Sequence, residues 1–200
     1  MDRQLENLIN DYIKKYKTIR MTEIPERESS FLKVKSFKCE LNSGTQIIRE
    51  QCLRNNLEGD VVTILPITAS NNIVMVAQPR VFTPLTVGFE LPAGYVDVFE
   101  YPEDAVLREL LEETGYLPMG LEKLISYQGD PGCSSAVNHC FVATGCQLTD
   151  KQNLDESEYV DFFECSLDDA MEMQASGLVV GSSSIVTLQK VYGKRQNYGI

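Results

Sequence analysis

Three glutamates and an arginine fall within six consecutive residues, Arg108-Glu109-Leu110-Leu111-Glu112-Glu113. On a helix, at about 100° per residue, Glu109, Glu112 and Glu113 gather on one face with Arg108 at its edge. Val106, Leu107, Leu110 and Leu111 cover the opposite face. Glu109 and Glu113 are four positions apart, so their carboxylates are neighbours one turn apart. Like charges at that spacing destabilise an isolated helix by roughly a few tenths of a kcal/mol, and something should compensate them. Hard divalent cations such as Mg²⁺ or Mn²⁺ take oxygen ligands and do so naturally, and a cation held there would let a phosphate approach. Three glutamates on a helix are by themselves usually a solvated face. Here Gly94 precedes Glu100 by six positions, Glu100 precedes Arg108 by eight, and Thr114-Gly115-Tyr116 closes the run.

These residues need a helix and a loop to hold them. Pro102 near the start and Gly115 just past the end predict a helix over Pro102 to Thr114. Phe89 to Val98 reads as an extended approach interrupted by Pro92 and Gly94. Val61 to Thr68 and Ile73 to Gln78 are apolar strands joined by a hairpin-like Ala-Ser-Asn-Asn. His139 to Thr144 and Tyr159 to Cys165 are further strands. Ser166 caps a helix with Asp168 and Asp169 in its first turn and Gly177 at its end, and a last helix runs from about Ser183 to Tyr192. Nearer the N-terminus, Leu5, Leu8, Ile9, Tyr12, Ile13 and Tyr16 recur at helical spacing over residues 2–17. A polar stretch from Thr22 to Ser30 follows. Two strands flanking Asn42-Ser43-Gly44 come next, the first with a change of phase at Ser36-Phe37 that suggests a bulge. The polar run Asn55 to Asp60 marks a boundary between residues 1–57, an N-terminal helix with a small antiparallel sheet, and a main domain over 58–200. Mixed helices and strands indicate an α/β sandwich on a mixed sheet.

The 200 residues carry a formal charge of −11, which argues against general nucleic-acid binding. Six cysteines without a Cys-x-x-Cys pair, and one histidine, argue against a zinc site and read as reduced thiols of a cytosolic protein. His139, in a strand-like segment, reads as structural. No secretory signal or membrane span is expected, so the expected location is the cytoplasm.

Gly94 through Tyr116 resembles the Nudix box: Gly, five residues, Glu, seven residues, Arg-Glu, an apolar residue, any residue, Glu-Glu, any residue, Gly, an apolar residue. Every fixed position matches, with Tyr116 standing where an aliphatic residue is commoner. The resemblance implies a Nudix α-β-α sandwich and a hydrolase of nucleoside diphosphate derivatives that uses two or more Mg²⁺ or Mn²⁺ ions. It implies Glu109 and Glu113 as principal metal ligands, Glu112 as a further ligand or water-mediated contact, and the carbonyl of Ala93 as another oxygen. Gly94, expected to allow a tight loop, and Glu100, Arg108 and Gly115 would support the box.

Outside the box the chain resembles the ADP-ribose pyrophosphatase branch. Glu90-Leu91-Pro92-Ala93-Gly94 is similar to that branch's approach to the box, Gln78-Pro79-Arg80 to its Gln-aromatic-Arg strand end, and Pro131-Gly132 to its proline marker. Asp155-Glu156-Ser157-Glu158-Tyr159 resembles its acidic loop. The resemblance implies substrate contacts at Arg80, Glu90, Pro131 and Gly132, a general base at Glu156 or Glu158, and a homodimer through the N-terminal strands. The implied reaction converts ADP-ribose to AMP and ribose 5-phosphate. Ala136, where a carboxylate is expected, and Pro79, in place of an aromatic residue, keep a GDP- or UDP-hexose in view as the alternative substrate. A non-catalytic nucleotide-sensing module is the alternative of another class, and the intact box argues against it.

Overall fold

The protein is described by a computed structural model covering residues 1–24, 31–54, 59–149, 151–154 and 158–200. Most of the expected boundary segment, part of the polar stretch before it, and Glu156 lie outside the described residues.

An N-terminal helix, α1 (Arg3–Tyr16), is capped by Asp2, whose carboxylate accepts from the amides of Gln4 and Leu5. Strands β1 (Leu32–Glu40) and β2 (Gln46–Arg54) form a separate two-stranded ribbon. Its register runs without interruption from Leu32↔Arg54 to Glu40↔Gln46, so the bulge expected at Ser36-Phe37 does not exist. The phase change has a simpler cause. Nearly every β1 side chain is exposed, so no buried face imposes alternation.

The main sheet is built on β3 (Val61–Thr68) and β4 (Ile73–Pro79), which join at Ile67↔Ile73 and then take different partners. β3 pairs in parallel with β9 (Val137–Leu148) and antiparallel with β6 (Ala93–Tyr95). β4 pairs antiparallel with β5 (Val87–Glu90) and β10 (Asp161–Cys165). Two antiparallel strands, β7 (Tyr116–Leu117) and β8 (Gly120–Gln128), complete the β9 side.

Period-two alternation divides the sheet's side chains between two cores. Val62 and Ile64 of β3, Val74 of β4, and Phe141 and Ala143 of β9 pack under Ala105, Val106 and Leu110 of α2 (Pro102–Thr114). The neighbours Leu65, Ile67, Met75 and Val142 pack on the other side with three helices: α1, α3 (Leu167–Ala175) and α4 (Ser182–Tyr192). A short α5 (Arg195–Tyr198) follows. The result is the expected α-β-α sandwich on a mixed sheet. α1 is part of this main core: Tyr16 Oη donates to the Ala77 carbonyl at 3.1 Å and to Asp161 at 2.8 Å. No helix among the described residues is long and apolar enough to cross a membrane.

α2 begins at Pro102, where the missing N–H costs nothing, and ends at Gly115 in the left-handed conformation (φ 74°), its N–H returned to Leu111 O. The packed face differs from the helical-wheel expectation by a rotation. Leu107 is 40% exposed, whereas Ala105, Glu109 and Glu113 are buried. Glu109 and Glu113 are therefore turned into the protein beside β6, and only Glu112 of the three stays partly in solvent.

Candidate active site

β6 and α2 meet where Gly94 faces Glu109. A Cβ built on Gly94 would lie 1.8 Å from Glu109 Cδ and 2.0 and 2.2 Å from its two oxygens. Gly94 has no left-handed φ and is paired with Val62 in the sheet. It makes room for a carboxylate, and does not form the tight turn expected from the sequence.

Arg108 organises the glutamates around it. Its Nε and Nη2 donate to the two oxygens of Glu100 at 2.9 and 2.8 Å, and Nη2 also to Tyr95 O at 2.9 Å. Its Nη1 donates to Glu109 Oε1 at 2.7 Å and to Glu112 Oε2 at 3.3 Å. Glu100 also accepts from the Asp97 amide at 2.9 Å, which fixes the loop entering the helix. Glu113 Oε2 accepts from the Ala93 amide at 3.0 Å. One oxygen of each buried glutamate thus has a donor, and Glu109 Oε2 and Glu113 Oε1 stand outside these bonds.

Burial dominates the electrostatics. Glu109 is pushed up to about 7 by loss of hydration, with Glu112 and Glu158 adding to the rise and Arg108 opposing it. Glu113 is raised well above the ordinary range, first by burial and then by the negative charges of Glu109, Glu158 and Glu90. Hydrogen bonds from Arg108 hold Glu100 below it. Two buried carboxylates whose burial outweighs the one guanidinium bonded to Glu109 form an environment that a further cation would stabilise. The oxygen-only donor set fits a hard divalent ion, and the space over Gly94 is what such a set requires. Among the described residues, no three His, Cys, Asp or Glu side chains already converge closely enough to hold a metal ion. Arg108 holds Glu109 and Glu112 aside, and the Ala93 amide holds Glu113.

The carboxylates line a cleft of about 930 Å³. Arg80, Glu90, Ala93, Gly94, Arg108, Glu109, Glu112, Glu113 and Glu158 converge on it. Facing the α2 glutamates, Arg80 donates through Nε and Nη2 to the two oxygens of Glu90 at 2.6 and 2.7 Å. These bonds raise Arg80 further above its ordinary range. Glu100 and Gly115 stand behind the cleft, one holding Arg108 and the other ending α2. Pro131 and Gly132 are exposed and line neither this cleft nor the second cavity beside it. Their neighbours Asp130, Ser134 and Ala136 line that second cavity, of about 300 Å³, which shares Val61 and Tyr95 with the cleft. His139 holds Ser126 Oγ at 2.8 Å through Nδ1, away from the cleft.

Sequence reasoning missed Tyr95, Tyr159, Gln78 and Ser183 as cleft-lining residues. Tyr95 adjoins Gly94 and was within reach of inspection. Ser183 arrives from the start of α4, far along the chain, and no local pattern marks it.

The NUDIX domain family profile matches residues 58–184. The methanol dehydrogenase activator of Bacillus methanolicus is 39% identical over 132 residues, covering 64% of this chain and 69% of that protein. The ADP-ribose pyrophosphatase of Bacillus subtilis (strain 168) is 36% identical over 129 residues, with the same coverages of 64% and 69%. A GDP-mannose pyrophosphatase of Yersinia enterocolitica is 31% identical over 103 residues, 50% of this chain and 53% of its own. In fold, a crystal structure of an ADP compounds hydrolase superposes with a TM-score of 0.74 at 21% identity, over 87% of this chain and 91% of that one. A family match over more than half the chain, a shared sandwich fold and an unbroken box from Gly94 to Tyr116 lead to one conclusion: the chain belongs to the Nudix family and resembles its ADP-ribose pyrophosphatases.

Proposed function

We propose that the protein hydrolyses the diphosphate of a nucleoside diphosphate sugar, with ADP-ribose the first candidate and AMP and ribose 5-phosphate the products. One observation carries this reading: the buried glutamates Glu109 and Glu113 face the guanidinium of Arg80 within one cleft. Its volume of about 930 Å³ is at the upper end of the small-molecule range, adequate for a nucleotide sugar.

Glu109, Glu113 and Glu112, with the carbonyl of Ala93, would hold two or more Mg²⁺ or Mn²⁺ ions. When bound, such ions supply positive charge against the phosphate oxygens and acidify a bound water. The chain's own residues do the rest. Arg108, locked by Glu100, tethers one oxygen each of Glu109 and Glu112 at the edge of the cleft, from which both would turn toward a bound ion. Arg80 presents a planar fork to a phosphate. Glu158, on the cleft wall, or Glu156 takes the proton as water oxygen bonds to one phosphorus and the bridging P–O bond breaks. The intact glutamates favour an enzyme over a sensing module.

Ala136 and Pro79 support a GDP- or UDP-hexose as the second reading, in line with the GDP-mannose pyrophosphatase similarity. Of the expected N-terminal unit over residues 1–57, α1 packs into the main core, and the ribbon of β1 and β2, with Val34, Phe37 and Ile48 exposed, pairs with a second copy in a cytoplasmic homodimer. A monomeric mass in solution would contradict the dimer. The function is tested with purified protein, Mg²⁺ or Mn²⁺, and ADP-ribose, GDP-mannose, UDP-glucose and diadenosine compounds, with product analysis. Release of AMP and ribose 5-phosphate is expected. Absence of hydrolysis across the panel with both metals defeats the proposal.

A further inference from the structure

Gly88 sits inside β5, where a glycine weakens a strand unless something needs the room. Its φ is not left-handed, so backbone conformation does not demand glycine there. Space does. A Cβ on Gly88 would lie 2.3 Å from Glu90 Oε1 and 2.6 Å from Arg80 Cγ. On the other side, the Cβ position of Gly181, which precedes α4, is 3.7 Å from Glu90 Cδ. The Arg80–Glu90 pair is thus set between two glycines, and Gln78 Nε2 adds a 3.4 Å contact to Glu90 Oε2.

The geometry of the pair is directional. Glu90 is 8% exposed and takes the Nε–H and one Nη2 hydrogen of Arg80 in a bidentate fork. A guanidinium has five N–H donors, so three stay outside the pair, those of Nη1 included. Holding one edge of a planar group fixes where the opposite edge lies, and a side chain already ordered loses less entropy on binding an anion.

We infer that Glu90 is a positioning residue: seated over Gly88, it grips the inner edge of Arg80 so that the outer edge is preset to receive a phosphate of the diphosphate substrate. This rests on the proposed hydrolysis of a nucleoside diphosphate. It differs from a direct substrate contact by Glu90, which the sequence resemblance implied. If Glu90 acts only through Arg80, removing Arg80 must abolish the effect of changing Glu90.

The test is a double-mutant cycle on the full chain with Arg80→Ala, Glu90→Gln and both together. Each protein is assayed with ADP-ribose and Mg²⁺, and separately by calorimetric binding of ADP in Mg²⁺. Glu90→Gln should lower kcat/KM about tenfold or more, chiefly by raising KM, and weaken ADP to a similar extent. In the Arg80→Ala background the same change should cost less than about twofold in either measurement. Gly88→Ala approaches the pair from outside and leaves both charges present. It should reproduce the Glu90→Gln loss and likewise be silent once Arg80 is gone, which keeps the test decisive if Glu90→Gln folds poorly. Additive losses, or wild-type ADP affinity in both Glu90→Gln and Gly88→Ala, overturn the inference. A wild-type protein that binds ADP with this pattern but cleaves nothing would sink the proposed reaction and leave the positioning role standing. A wild-type protein that cleaves ADP-ribose, with Glu90→Gln and Gly88→Ala both keeping its kcat/KM, would sink the positioning role and leave the proposed reaction standing.

Discussion

Replacing Gly94 by alanine adds a single methyl group, and the structure specifies what it meets. The new Cβ would lie 1.8 Å from Glu109 Cδ, so that carboxylate must retreat by more than about 1.5 Å to reach ordinary van der Waals separation. The strand cannot give way easily, because β6 is paired to β3 at Val62↔Gly94. Glu109 has little room either, being 8% exposed and bonded to Arg108 at 2.7 Å. Overpacking of this kind costs about 1–3 kcal/mol of stability. A displacement of about 1 Å in a group that positions a reaction costs about a hundredfold in rate, close to 2.7 kcal/mol in the barrier. Activity should therefore fall by at least about two orders of magnitude while the protein remains folded, as read by kcat/KM and a urea unfolding curve on the same preparation. Shortening the opposing side chain in the double variant Gly94→Ala/Glu109→Asp should restore much of the stability and little of the activity. A Gly94→Ala variant with wild-type turnover and wild-type stability would show that Glu109 is not held against this strand.

Glu113→Gln should fold normally and lose activity by several orders of magnitude; full activity would remove it from the reaction. Metal-free protein should lose stability as pH rises. Burial holds Glu109 up to about 7 in the fold, against 4.5 for the free side chain, so its contribution is complete below about 4.5 and lost by about 7. The span corresponds to about 3 kcal/mol. Urea unfolding in chelator across that window checks it, with Glu109→Gln expected to flatten the slope and added Mg²⁺ to offset it. Burial pushes Cys146 and Cys165 up to about 12, and Cys133 is exposed. The Cys133 thiol donates to Asp130, which raises it and slows its reaction. Mass-resolved alkylation of native protein should still mark Cys133 first and the two buried thiols only after unfolding, and labelling of Cys165 ahead of Cys133 would contradict its packing.

The parts of the fold legible in the sequence were those with strong local punctuation. Pro102 and Gly115 delimit α2, and Ser166 and Gly177 delimit α3, because each residue type has a backbone reason to stand there. The glutamate cluster was legible because four-residue spacing is a property of the helix alone. Its burial was not, since only the pairing of β6 with β3 decides which way α2 turns. β8 went unread. Its apolar residues Leu121, Leu124, Ile125 and Tyr127 mix helical and strand spacing, and the register shift between Lys123 and Ile125 explains why. Arg80 lies just past the end of β4 and Glu90 ends β5, ten residues on, so their contact follows from the antiparallel pairing of β4 with β5, which no short window displays.

β3 feeds Val62 and Ile64 into one core and Leu65 and Ile67 into the other, and it also carries Ala93 and Gly94 on its edge. The proposed site hangs from a strand that both halves of the interior grip, as they grip its neighbours β4 and β9. Heat or a defect that loosens either half is transmitted to the glycine bed of Glu109, so inactivation and melting should share a single midpoint.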